Sequence, residues 1–243
     1  MFFCISCGSD FEARKKTTLC PACYSPTVVG EPARIEPVPL VDVEAATPRA
    51  KYADDARSCV ARLLGATHDG SVVVVWGMPG TGKSTDALAW LCDFRAVRPG
   101  PLAYVTNELV PSQVAEIAAR WGLDGRGVGI VETASPVAAA THAMAQGAVA
   151  VVVDSVSMHG STHEVVRRLR QVIAAARARG VSVVAISHAT RSNAPALPLT
   201  AIHEIDAAIV IRQNFARIDK KIRFSVAAWQ VSSPWFRAPD PND

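Results

Sequence analysis

The chain reads as an α/β protein, a three-layer sandwich with a mostly parallel sheet between helices. Three observations predict this. From about residue 50 onward, short apolar β-branched runs alternate with segments of helical spacing. The early runs are continuously apolar rather than alternating, as strands covered on both faces are. Two of them also end abruptly in polar chemistry: 72–75 runs into a glycine-rich loop, and 149–153 ends in Asp154. Functional groups at strand C-termini are the habit of open parallel sheets.

Composition is compatible with that fold. At 243 residues with 49% apolar and 19% charged side chains, the chain can bury one sizeable core and carry a small accessory module. A formal charge of +3 is too mild to announce a nucleic-acid binder. No run of 18 or more apolar residues is present, which argues against a membrane span. The N-terminus lacks the basic stretch and long apolar run of a signal peptide, so a soluble, cytoplasmic protein is expected.

Taken in order, residues 1–30 predict a zinc-ribbon-like module. Cys4, Cys7, Cys20 and Cys23 have the spacing C-x2-C-x12-C-x2-C, two knuckles able to set four thiolates tetrahedrally around Zn²⁺. Gly8 suits the first turn and Pro21 stiffens the second. So short a segment cannot fold on its own core, and metal would supply most of its folding free energy. Disulfides are the rival reading, disfavoured in a reducing compartment. Residues 31–49 are Pro-rich and acidic, which suits an extended linker. A third domain spans 50–243.

In that domain helical spacing opens at 54–64, with Gly65 as its stop. Further helices are expected at 83–94, 111–121, 136–146 and 162–179. Strands are expected at 71–76, 101–106, 128–131, 148–153, 181–187, 207–212 and 223–231. The last two lack a helix between them, which suits an antiparallel edge. Cys59 and Cys92 fall in helical patterns and read as buried thiols.

The chemistry gathers at strand ends. Gly77 to Ser84 spell G-x-x-x-x-G-K-S between a strand and a helix, the setting of a P-loop. Gly77, Gly80, Thr81, Gly82, Lys83, Ser84 and Thr85 would surround the phosphates of a nucleoside triphosphate such as ATP. Lys83 would reach the β- and γ-phosphates, and Ser84 would coordinate Mg²⁺. Asp154, delivered by an apolar strand, is a second Mg²⁺ ligand (Walker B) or else a turn cap. Glu108, after the strand that follows the P-loop helix, is a candidate to orient and deprotonate water, or a solvated loop acid.

The order of these motifs resembles the RecA-like ATPases, and among them the RadA/Sms family. The likeness rests on Cys4-Ile5-Ser6-Cys7-Gly8, Cys20-Pro21-Ala22-Cys23, Leu64-Gly65, Gly70-Ser71, the P-loop, Tyr104 to Glu108 and Val153-Asp154-Ser155. It continues through Ser187-His188-Ala189-Thr190-Arg191 and Ile202-His203-Glu204-Ile205-Asp206. The resemblance implies a RecA-like P-loop sandwich, with a catalytic Glu108 and with His188 as a γ-phosphate sensor. It also implies an ATP-hydrolysing recombination and repair ATPase on single-stranded DNA. Its oligomer would be a ring or filament, with a replication or recombination protein as a further partner. Arg191, Lys220, Lys221 and Arg223 are candidates to act across a subunit interface, with an ordinary solvated charged strand an equal reading.

Two departures stand out. The family's Lys-Asn-Arg-Phe-Gly motif is matched only by Lys221-Ile222-Arg223-Phe224-Ser225, and the likeness stops short of the family's large protease-like domain. Both favour an alternative, an ATP-gated adaptor that binds a protein partner through the zinc module. A nucleotide kinase is a third reading, without an arginine-rich lid to support it. Residues 192–199 fall where such proteins contact DNA but hold no aromatic residue and no lysine. Arg167, Arg168, Arg170, Arg177 and Arg179 form a basic helix that is a better electrostatic surface, although they spread over more than one face and an ordinary solvated helix is the favoured reading.

Overall fold

A computed structural model describes residues 2–3, 10–11, 50–156, 162–189, 197, 201, 203–213, 215–221 and 230–234. By its contacts the chain divides into Met1–Ala46 and Thr47–Asp243. In the first unit β1 (Phe2–Phe3) pairs antiparallel with β2 (Asp10–Phe11). The four predicted zinc ligands and the 31–49 linker lie outside the described residues.

The second unit is an α/β three-layer sandwich. It begins with β3 (Ala50–Lys51), α1 (Cys59–Leu64) and β4 (Ala66–Thr67), and β3 pairs antiparallel with β4. Alternation follows: β5 (Val72–Gly77), α2 (Lys83–Val97), β6 (Leu102–Thr106), α3 (Pro111–Arg120), β7 (Val128–Glu132), α4 (Pro136–Ala145), β8 (Ala150–Asp154), α5 (Thr162–Arg179) and β9 (Ser182–His188). The chain closes with β10 (Ala207–Ile211), β11 (Phe215–Lys221) and β12 (Gln230–Ser232). The eight-stranded sheet has the order β12-β11-β10-β5-β9-β8-β6-β7, parallel from β10 to β7 and antiparallel at β11 and β12. This is the mostly parallel sheet with an antiparallel edge that the sequence predicts.

Alternation of side chains across the pleat splits the core in two. Val73, Val75, Tyr104, Val152, Val184 and Ile186 face α1, α2 and α3, whereas Val72, Val74, Val105, Val151, Val153 and Val183 face α4 and α5. The inner strands are buried along almost their whole length, which is why they read as continuous apolar runs. The edge strand β7 is mostly open. Cys59 is fully buried, while Cys92 is only half-buried, its thiol pushed up to about 11 by burial.

One expectation needs correction. The helix expected over 54–64 forms only over Cys59–Leu64. Ser58 is its N-cap, accepting from the N–H groups of Val60 and Ala61, and Gly65 ends it in the left-handed region at φ 74°. The upstream turn does not form because carboxylates of α2 take its donors. Asp86 accepts from Cys59 N at 2.7 Å and Asp93 from Ser58 N at 2.8 Å. Of the strand expected over 223–231, residues 223–229 lie outside the described residues and 230–231 fall in β12, while β11 at Phe215–Lys221 is a further strand. Arg212 N donates to Phe215 O at 2.8 Å, joining the end of β10 to the start of β11.

Candidate active site

The C-terminal ends of β5, β6, β8 and β9 lie along one rim of the sheet, and the polar residues of the sequence motifs meet there. β5 ends at Gly77, whose added Cβ would stand 2.3 Å from Ile211 O, so glycine is required by the close approach of β10. Gly80 and Gly82 adopt left-handed φ values of 77° and 88°, and Gly82 is the N-cap of α2. A Cβ at Gly80 would meet nothing within 4 Å, so this exposed glycine is set by its backbone conformation and not by a neighbour. The α2 N-terminus thus presents its unpaired N–H groups and positive dipole end to the loop.

Lys83 is buried and donates to Met78 O at 2.9 Å, and the Thr81 hydroxyl donates to the same carbonyl. Burial lowers the Lys83 ammonium below its usual range, opposed by the charges of Asp154 and Glu108. All three therefore share one electrostatic neighbourhood.

Asp154 is fully buried at the end of β8. Tyr104 donates its hydroxyl to Asp154 Oδ2 at 2.6 Å, and Ser84 interacts with both side chains. Asp154 Oδ1 is buried without a hydrogen-bond partner among the described residues. Burial raises the Asp154 carboxyl above the usual carboxylate range and, with the charge of Asp154, holds the Tyr104 phenol well above its own. A buried carboxylate oxygen left open beside a serine hydroxyl is a donor set that fits a hard divalent cation such as Mg²⁺.

Glu108 follows β6 and meets His188, the last residue of β9, at 2.8 Å between Oε1 and Nε2. An ionised carboxylate only accepts, so Nε2 carries the hydrogen. The loop carrying Glu108 is braced twice. Thr106 Oγ1 accepts from the N–H groups of Glu108 and Leu109, while Asn107 N donates to Asp154 O at 3.0 Å. Asn107 Oδ1 in turn accepts from Ser155 N at 2.9 Å, tying the chain after β6 to the chain after β8.

The structure thus brings together Lys83, Ser84, Asp154, Glu108 and His188, which lie far apart in sequence. Among the interface candidates, Arg191 and Arg223 lie outside the described residues, and the backbones of Lys220 and Lys221 lie in β11. Residue-level reasoning passed over Thr106 and Asn107, and named Tyr104 only as part of a family motif. A signal was present: Tyr104 pairs in register with Val152, so its phenol lies diagonally across from Asp154, two residues further on.

No family model matches the chain. It is 30% identical over 158 residues to the DNA repair protein RadA of Salmonella typhimurium and to that of Escherichia coli. With the DNA repair protein RadA of Pseudomonas aeruginosa it is 31% identical over 157 residues. The matched stretch is about 60% of this chain and 34% of each relative, so the chain spans about a third of the length of the relatives it matches. Over about 60% of its length, the chain is therefore similar to the DNA repair proteins RadA.

Proposed function

We propose that this chain is a RadA-like ATPase of DNA recombination and repair, acting on single-stranded DNA as an oligomer. The observation that carries the reading is the convergence of Lys83, Asp154 and the Glu108–His188 pair on a P-loop framework. The similarity to DNA repair proteins RadA supports the biological setting.

In this reading Gly77 to Thr85 cradle the phosphates of ATP through backbone N–H groups at the α2 N-terminus. Lys83 leaves Met78 O and donates to the phosphate oxygens. Ser84 and Asp154 hold Mg²⁺, which when bound neutralises charge on the β- and γ-phosphates. Glu108 accepts a proton from the attacking water, and His188 holds its carboxylate in place while facing the γ-phosphate. The half-buried Arg167 and Arg168 of α5 offer a cationic surface for the DNA backbone. Residues 1–30 form a zinc module on Cys4, Cys7, Cys20 and Cys23, joined through 31–49 to the ATPase domain 50–243. Metal analysis of the folded protein is expected to give one zinc per chain, and protein free of zinc would remove that part of the proposal.

The deciding experiment is steady-state ATP hydrolysis with Mg²⁺, with and without single-stranded DNA, at low and moderate salt. Stimulation that fades as salt rises is expected. Turnover indifferent to DNA would overturn the DNA-dependent reading, and no turnover would overturn the ATPase reading itself.

A further inference from the structure

The two faces of the sheet are covered by different helices. α2, which the phosphate loop enters, packs on the face of Val73 and Val75, whereas α4 and α5 cover the other. On that other face a cleft of about 510 Å³ opens between α4 and α5 and reaches the chain that follows β6 and β8. Its size is ordinary for a small-molecule site. No residue of the phosphate loop lines it.

The lining is cationic and rich in donors. Arg167, Arg168 and Gln171 of α5 stand on one side, all half-buried, and no Asp or Glu is among the described lining residues. The N-terminus of α4 stands on the other. Its N-cap, Ser135, makes no side-chain capping bond, and Pro136 has no N–H to offer. Ala139 N donates to Ser135 O at 3.1 Å, so the earlier N–H groups of Val137 and Ala138 meet no helix carbonyl. Ser155 is an independent sign of a ligand. It lines the cleft and is only 1% exposed, yet its Oγ has no hydrogen-bond partner among the described residues. A buried hydroxyl without a partner is costly, and an oxygen-rich ligand would supply one. Asn107, beside it, commits its Oδ1 to Ser155 N at 2.9 Å and keeps its amide N–H groups as donors. The buried side chains of Val137 and Val156 add an apolar patch.

We infer that this cleft binds a phosphate monoester with a compact apolar body. Such a group is close to doubly charged near neutral pH and carries three acceptor oxygens, which suits two arginines, a helix start and the Ser155 hydroxyl together. A backbone phosphate of nucleic acid is a diester with one charge and two free oxygens. The same two arginines are offered to DNA above, and the test therefore separates the two ligands. The inference does not rest on the P-loop reading.

The test is calorimetric titration of the full chain with phenyl phosphate, the P-loop being filled with Mg²⁺ and a non-hydrolysable ATP analogue. A parallel titration uses Lys83→Ala without nucleotide. Binding is expected in both, and Arg167→Gln should weaken it by about tenfold or more, the worth of a charge-assisted hydrogen bond. An unchanged unfolding midpoint shows that this variant is folded. Ser155→Ala should weaken binding severalfold without lowering the midpoint, because its hydroxyl has no partner to lose in the empty protein. Thymidylyl-thymidine, a phosphodiester without a monoester, should bind about tenfold or more weakly than phenyl phosphate. A wild-type chain that does not bind phenyl phosphate would overturn the inference. So would binding that disappears in Lys83→Ala and persists in Arg167→Gln, which would put the probe in the P-loop. Equal affinity for the diester would overturn the monoester assignment in favour of nucleic acid.

Discussion

Glu108 Oε1 and His188 Nε2 lie 2.8 Å apart, joining the loop after β6 to the end of β9 across the strand β8 between them. The pair gives a first prediction. Glu108→Gln is expected to keep nucleotide affinity and lose turnover by roughly 10²–10⁴-fold, the usual worth of a general base. His188→Ala leaves the carboxylate present but loosely aimed, and turnover should fall by about 10–100-fold. Single-turnover hydrolysis with separately measured ADP binding checks both, and a Glu108→Gln enzyme with the wild-type rate would remove Glu108 from the mechanism.

Tyr104 sets the orientation of Asp154 by occupying Oδ2 and leaving Oδ1 open. Tyr104→Phe is expected to raise the Mg²⁺ concentration for half-maximal turnover by roughly tenfold, as loss of an outer hydrogen bond on a metal ligand does. Turnover at saturating Mg²⁺ should change far less. A lowered plateau with unchanged Mg²⁺ dependence would place the phenol's effect elsewhere.

The glycines of the loop should separate by mechanism. Gly77→Ala drives a Cβ to 2.3 Å from Ile211 O and is expected to destabilise the fold by roughly 1–3 kcal/mol. Gly80→Ala meets no neighbour, so its cost is the left-handed φ alone, about 1–2 kcal/mol. Urea denaturation without ligand measures both, and equal stability of Gly77→Ala and wild type would refute the close-packing account.

Asp93 carries a pH prediction. Burial raises its carboxyl above the usual range, opposed by N–H donors from Ser58 and Arg57. Between its unfolded pKa of about 3.9 and the raised folded value, the native state binds more protons than the unfolded one. Stability contributed by this group therefore falls as pH rises through that window. The Asp93→Asn variant lacks the effect, so its stability relative to wild type should improve from pH 4 to pH 7 (a parallel pH profile for the two would contradict the shift).

Much of this was legible in the sequence because burial leaves a compositional mark. Residues 72–75, 102–105 and 150–153 lie in the middle of a sheet covered on both faces, and nothing polar interrupts them before the rim. The P-loop was legible for another reason, since Gly80, Gly82 and Lys83 are fixed by local backbone geometry and not by distant partners. The late start of α1 was hidden because it depends on Asp86 and Asp93, about thirty residues downstream. The bracing by Asn107 was hidden for the same cause: Ser155, its partner, is 48 positions away. Local pattern exposes what local energetics decide, and a carboxylate or amide serving a remote N–H leaves no such pattern.

The insertion of β9 between the strands of Gly77 and Asp154 has a mechanical consequence. His188 closes that strand, and the backbone leaving it, Ala189, is already hydrogen-bonded to Gly77 O. One backbone bond therefore joins the start of the phosphate loop to the residue beside the imidazole that meets Glu108, so loop and histidine belong to a single hydrogen-bonded frame.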